Sequence, residues 1–148
     1  MAALRGIAWR EGKRAPMRTP DRAAVLVESG VVADSRGRPG SRQVTVLTSA
    51  GWDAACAEVR AELPWHTRRA NLLVEGLDLA GTTGQRLRIG KLVLQVTGEL
   101  EPCSRMDEAH HGLRQALAPD WRGGVTCRVL EGGEIAVGDS VMLEAPGE

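Results

Sequence analysis

The sequence predicts a mainly β fold, a closed or partly closed barrel carrying two helices. Three observations carry this reading. Apolar and polar residues alternate over several short stretches, the pattern of half-buried strands. Turn signals interrupt those stretches at short intervals, and 18 of the 148 residues are glycine, able to supply the positive-φ positions that turns need. Only two stretches place apolar residues at helical spacing. Many short strands leave many unpaired edges, and closure into a barrel removes them.

The elements follow in chain order. "AAVLVESG" (23–30) is an apolar run that ends in glycine, a strand signal. "RQVTVLT" (42–48) alternates, with Val44, Val46 and Thr48 on one face and Thr45 and Leu47 on the other. "SAGWDAACAEVRAEL" (49–63) reads as the first helix, with Ser49 as N-cap, Trp52, Cys56, Val59 and Leu63 on one face, and Pro64 as the stop. "ANLLVEGLD" (70–78) is a strand running into a glycine turn. "GQRLRIG" (84–90) and "KLVLQVTGE" (91–99) alternate on either side of a tight Gly90-Lys91 turn. "SRMDEAHHGLRQAL" (104–117) reads as the second helix, with Ser104 as N-cap and Asp107 near a capping-box position. Met106, Ala109, Leu113 and Leu117 form its apolar stripe, and Gly112 weakens it by about 1 kcal/mol relative to alanine. "VTCRVLEGGEIAVGDSVML" (125–143) reads as three strands joined by Gly-Gly and Gly-Asp turns, and "SRGRPGSR" (35–42) is the most loop-like segment.

Composition narrows the function. The length and a 43% hydrophobic content suit a single domain over 1–148 with a real core. No 18-residue apolar run spans a membrane, and "MAALRGIAWREGKR" lacks the apolar stretch of a signal peptide, so a cytoplasmic protein is expected. Cys56, Cys103 and Cys127 form no CxxC pair, so no disulfide framework is expected. The net charge is zero, but residues 1–69 hold 12 Lys/Arg against 7 Asp/Glu, so an anion is better served by the first half. Four tryptophans are the only aromatics, too few for the stacking platforms of a nucleic-acid binder.

The chemistry gathers around Cys103. It follows Glu101-Pro102 and precedes a helix start and Arg105, whereas a structural cysteine sits among apolar residues. Pro102 has no N–H to extend a strand ladder, so the chain is expected to leave the sheet there and present the thiol. A helix N-terminus and Arg105 both favour a thiolate, suited to a nucleophile, a sulfur carrier or a soft-metal ligand. An inert surface cysteine is the competing reading. Cys56 and Cys127 read as core packing. Zinc is not expected, because His110 and His111 are neighbours whose rings diverge on a helix, and no CxxC or HxxxH spacing occurs. Nor do GxSxG, HExxH or Walker motifs occur.

With these residues in view, the chain resembles the MOSC domain, the family named for the C-terminal domain of molybdenum cofactor sulfurase. Four pieces in order carry the resemblance: "PDRAAVLVESGVVADSRGRPGSRQVTVL", "RRANLLVEGLDL", "GQRLRIGKLVLQVTGELEPCSRMDE" and "GLRQALAPDWRGGVTCRVLEGGEIAVGDSV". The resemblance implies a strongly twisted, mostly antiparallel β-barrel with two or three short helices. It implies that Cys103 carries sulfur as a persulfide or ligates molybdenum in a pterin-type molybdenum cofactor. It also implies a polar pocket for an anionic group of that cofactor, with Asp34, Arg36, Arg42, Arg69, Asn71 and Arg105 as candidates.

One departure matters. Many members read Gly-Asp-x-His where this chain has Ala33-Asp34-Ser35-Arg36, so the role of that histidine cannot be filled in the same way here, and an arginine favours an anion over a transferable proton. A sulfur donor or an electron-transfer protein is the expected partner. Two alternatives stand beside the carrier reading: a small molybdenum oxidoreductase acting on N-hydroxylated compounds, and a non-catalytic ligand-binding barrel. Pyridoxal phosphate is not expected, since the only lysines, Lys13 and Lys91, lie in no convincing pocket motif.

Overall fold

The computed structural model describes residues 1–146. Ten strands form two sheets. The larger runs in the order β1 (Ala3–Ile7), β5 (Leu72–Glu75), β4 (Val44–Thr48), β8 (Val125–Glu131), β7 (Leu92–Glu99), β6 (Arg86–Ile89) and β10 (Val141–Glu144). Its two ends approach one another. The Leu4 N–H donates to the Asp139 carbonyl at 2.8 Å and the Gly138 N–H donates back to the Leu4 carbonyl at 2.8 Å. The result is a nearly closed barrel, as the strand count and edge argument predicted. The smaller sheet, β3 (Gly30–Val31), β2 (Arg22–Leu26) and β9 (Gly133–Ala136), caps one side.

Neighbouring strands pair antiparallel with one exception: β4 and β5 are parallel. Parallel neighbours need a crossover, and the helix α1 (Ser49–Val59) provides it. Inside the barrel, Leu4, Val46, Leu72, Val74, Leu87, Ile89, Leu94, Val96, Val125 and Cys127 form one buried cluster. Outside it, α1 and the helices α2 (Ser104–Ala109) and α3 (Leu113–Leu117) cover Leu47 with Trp52, Ala55, Met106, Leu113 and Leu117. The two faces that Val46 and Leu47 take in the alternating pattern are thus both covered, one by the barrel interior and one by helices.

Three local expectations are corrected. The N-cap of α1 is Thr48, not Ser49: its Oγ1 accepts the Gly51 N–H at 3.1 Å. The helix ends at Val59 because Arg60 turns left-handed at φ 56, and Leu63 rejoins the apolar face beyond that turn. The single helix expected over 104–117 is broken into α2 and α3. His110 is extended, and Gly112 at φ 84 starts the second piece. Ala109, expected on the apolar stripe, is exposed as a result.

Strand β1 has no counterpart in the periodicity reading. A bulge between Leu4 and Gly6 turns both Leu4 and Ile7 inward across an odd spacing, which destroys the period-2 signal. Gly6 is required there, since a Cβ would lie 2.6 Å from the Trp65 ring.

Candidate functional site

Cys103 stands where the barrel hands the chain to α2. After β7, the Leu100 N–H is bonded to the Gly124 carbonyl at 2.8 Å, which fixes the chain against the start of β8. Pro102 follows and the sheet pairing ends. Cys103 itself is the N-cap of α2, extended at φ −120 and ψ 178, and the expected cap Ser104 is the first helical residue. No side-chain capping bond engages the sulfur, and Cys103 is exposed. The capping-box role expected of Asp107 is not adopted. Its carboxylate accepts the Arg114 N–H at 3.0 Å and so ties α2 to α3 across the break.

Every candidate named from the sequence lines one cavity of about 560 Å³: Cys103, Asp34, Arg36, Arg42, Arg69, Asn71 and Arg105. Three segments bring them together. The loop between β3 and β4 carries Asp34, Arg36 and Arg42. The chain leaving the 3-10 turn Trp65–Arg68 carries Arg69 and Asn71. The start of α2 carries Cys103 and Arg105. Arg10, Thr45, Arg68 and Arg114 are among the further lining residues that were not foreseen.

Asp34 and Asn71 form the framework of the wall. Asn71 Nδ2 donates to the Ala8 carbonyl at 3.1 Å and to Asp34 Oδ2 at 3.2 Å. Its Oδ1 accepts the Thr45 N–H at 3.1 Å. The amide is therefore fully engaged by protein, and it holds the end of β1, strand β4 and the Asp34 loop in one piece. The other Asp34 oxygen accepts the Arg10 N–H at 3.2 Å, and the Arg10 carbonyl accepts the Ser35 N–H at 2.9 Å. Ala33, where the family pattern has glycine, sits at φ 73, a left-handed conformation that glycine adopts without strain.

Two of the arginines that line the cavity are buried. Arg68 is 6% exposed; its Nε donates to the Gly123 carbonyl at 3.0 Å and its Nη2 to the Leu100 carbonyl at 2.8 Å. It thus clamps the segment that leads into Pro102 and Cys103. Burial pulls the Arg68 guanidinium down to about 10, an ionised Cys103 opposes that pull, and Arg42 reinforces it. Arg10 is 2% exposed, and its Nη1 donates to the Lys13 carbonyl at 2.7 Å. Its Nη2 is buried with no partner among the described residues. Burial lowers its affinity for a proton most, followed by repulsion from Arg36, Arg69 and Arg105, with Asp34 in partial opposition.

The electrostatics of the cavity are one-sided. Seven arginines line it against Asp34 and Glu101. Among the described residues none of the seven forms a salt bridge; the four bridges present involve Arg5, Arg18, Arg88 and Arg122. Asp34 has both oxygens bonded to the Arg10 N–H and Asn71 and forms no salt bridge with the guanidinium groups. Such a cluster is stabilised by an anion that offers several acceptors at once.

The remaining titratable candidates lie elsewhere. Cys127 is fully buried in the barrel, and burial pushes its thiol well up. Burial also raises Cys56, reinforced by Asp53 and offset by a bond to the Leu63 backbone. His110 Nδ1 lies 3.0 Å from the His111 carbonyl, and neither histidine lines the cavity. Among the described residues no group of three His, Cys, Asp or Glu side chains is placed to hold a metal ion, and no helix is long and apolar enough to cross a membrane.

A nearly closed barrel with an exposed thiol in an arginine-lined cavity at its rim defines a class: a small β-barrel that presents a cysteine among cationic side chains. The family follows from comparison. The MOSC domain profile matches residues 27–142, and the chain belongs to the MOSC domain family. Its fold is shared with the YuaD protein of Bacillus subtilis, at a TM-score of 0.80 and 16% identity over 99% of this chain and 98% of that one. It is also shared with YiiM of Escherichia coli, at a TM-score of 0.73 and 14% identity over 99% and 71% of the two chains. YiiM of Geobacillus stearothermophilus gives 0.71 and 18% over 97% and 75%. No curated protein sequence matches the chain.

Proposed function

We propose that this MOSC domain binds a pterin-type molybdenum cofactor through Cys103, and that the same cysteine carries sulfur when no metal is present. One observation supports the reading above all. The single exposed thiol of the chain shares a cavity with arginines that have no carboxylate partners. The donor set suits the group: a soft sulfur ligand for the metal, and planar cationic donors for an anionic organic part. The buried, unpartnered Arg10 Nη2 is the kind of group that an acceptor on a ligand satisfies.

In this reading the residues divide the work. Cys103 is the metal ligand, left free of capping bonds. Arg36, Arg42, Arg69 and Arg105 hold the anionic portion. Arg68 fixes the loop that positions the thiol, and Asn71 fixes Asp34 and the wall. When bound, the cofactor supplies oxygen- or sulfur-transfer chemistry at the metal. In the metal-free role, a Cys103 thiolate attacks the terminal sulfur of a donor persulfide, and the donor leaves as its thiolate, with no net oxidation. The replacement of the family's histidine by Arg36 favours anion binding over proton transfer at that position.

The reading is tested on protein from a cofactor-making host. After oxidative release, the pterin is measured by its fluorescence in wild type and in an Arg36→Glu/Arg69→Glu variant. Pterin bound to wild type and lost from the variant is the expected result. Equal pterin in both removes the arginines from the binding role.

A further inference from the structure

A second groove adjoins the thiol cavity and is unused by the reading above. It has a volume of about 950 Å³ and shares Met17, Arg69, Met106 and Arg105 with the inner cavity. Its own wall carries the cations Lys13 and Arg14 together with His66, faced by one carboxylate, Glu108. Lys13 and Arg14 are exposed and form no salt bridge among the described residues.

The groove is preformed by the parts that build the thiol site. One wall is the loop of Lys13 and Arg14, anchored where buried Arg10 bonds the Lys13 carbonyl at 2.7 Å. The second is the 3-10 turn of His66, which ends in the buried clamp Arg68. The third is α2, which begins at Cys103. The groove and the thiol cavity share Arg69 and Arg105, so a ligand that spans both meets positive charge at their junction.

We infer that this outer groove is the substrate lobe of the Cys103 site and takes a small molecule with an anionic tail, a phosphoryl or carboxylate group, whose other end meets the thiol. The inference rests on the reading of Cys103 as the reacting group. It adds to that reading a substrate class, anionic rather than neutral, and the residues that select it, Lys13 and Arg14.

The test compares two disulfide probes at low salt. One is 5,5′-dithiobis(2-nitrobenzoate), which carries a carboxylate on each half; the other is neutral 4,4′-dithiodipyridine. Each reacts when the Cys103 thiolate attacks one sulfur, forms a mixed disulfide and expels the other half as a thiolate, and Cys103→Ser gives the background. In wild type the anionic probe should gain about tenfold over the neutral probe, relative to the same ratio for a free thiol in solution. In Lys13→Glu/Arg14→Glu that gain should vanish while the neutral rate stays within about twofold. Competition by inorganic phosphate against competition by acetate separates a phosphoryl tail from a carboxylate tail.

A gain that survives the double variant overturns the groove, because the inner arginines then account for it. A Cys103 unreactive toward both probes overturns it too, since the groove then does not lead to the thiol. The cofactor reading fails separately: protein that shows the Lys13/Arg14-dependent gain but never retains molybdenum or pterin keeps the groove and loses the cofactor.

Discussion

Cys103 and Cys127 are the same residue in two opposite settings. Cys127 lies within β8, paired to Val44 and Val96 in the register of the sheet, and is fully buried among valines and leucines. Cys103 lies 24 positions earlier in the sequence, outside any strand, exposed, beside arginines whose charges are not neutralised. In the first setting the thiol is a small apolar filler that resists ionisation. In the second, nothing caps the sulfur, and it is exposed in a cavity lined by arginines. The contrast teaches that in this fold the rim, where strands end and loops supply charge, exposes polar side chains, while the barrel interior buries even a thiol.

The comparison is broken most severely if both thiols behave alike. In native protein Cys103 should react with a disulfide reagent at least about a thousandfold faster than Cys127, which is reachable only through unfolding, and stopped-flow thiol titration of single-cysteine variants measures the ratio. A Cys127 that reacts at a similar rate would mean that the barrel is not closed around it.

The clamp behind the rim gives the next largest effect. Arg68→Ala leaves the buried Leu100 and Gly123 carbonyls without donors and should destabilise the fold by about 2–4 kcal/mol in denaturant melts. Arg69→Ala, at an exposed neighbour, should move stability by about 0.5 kcal/mol or less. Equal effects would erase the distinction between a buried clamp and an exposed arginine.

Two smaller effects sharpen the picture. Ala33→Gly relieves a left-handed alanine at φ 73 and should stabilise by about 0.5–1 kcal/mol, net of the extra freedom that glycine has when unfolded. Cys127 contributes a pH dependence. Its folded thiol is held above the ordinary value of 9.0, so its contribution is fully present below pH 9 and is lost as pH rises beyond it, while the unfolded thiol ionises. Between pH 8 and 10, wild type should lose about 1.4 kcal/mol more than Cys127→Ala, as read by parallel melts. No difference between the two would mean that Cys127 meets solvent in the folded state.

The same contrast governs what the sequence reveals. Interior strands such as β6 and β7 announce themselves, because Leu87, Ile89, Leu92, Leu94 and Val96 must all face one way and period 2 records it. Strand β1 is silent because its bulge spoils that period. The break between α2 and α3 is half legible: Gly112 flags it, but the extended His110 follows from packing that no local pattern encodes. At the site, Cys103 stands out by its unusual neighbours, and the family resemblance points to the polar residues around it.

Arg10 and Arg68 escape notice because sequence gives every arginine the same prior for the surface. Only the fold shows that these two are buried and bonded to backbone carbonyls. Asn71 was foreseen at the cavity, yet its amide is engaged entirely by protein, which sequence reasoning has no means of counting.

The central claim is that Cys103 and its arginine-lined cavity form one cofactor site. Its most direct test is elemental analysis of molybdenum per chain in wild type and Cys103→Ala, both made in a cofactor-competent host, with peptide mass analysis for added sulfur on Cys103. The account predicts molybdenum in wild type and none in the variant, or, in metal-free wild type, a persulfide on Cys103. Wild type with neither metal nor added sulfur, or a Cys103→Ala variant that retains its molybdenum in full, would contradict it.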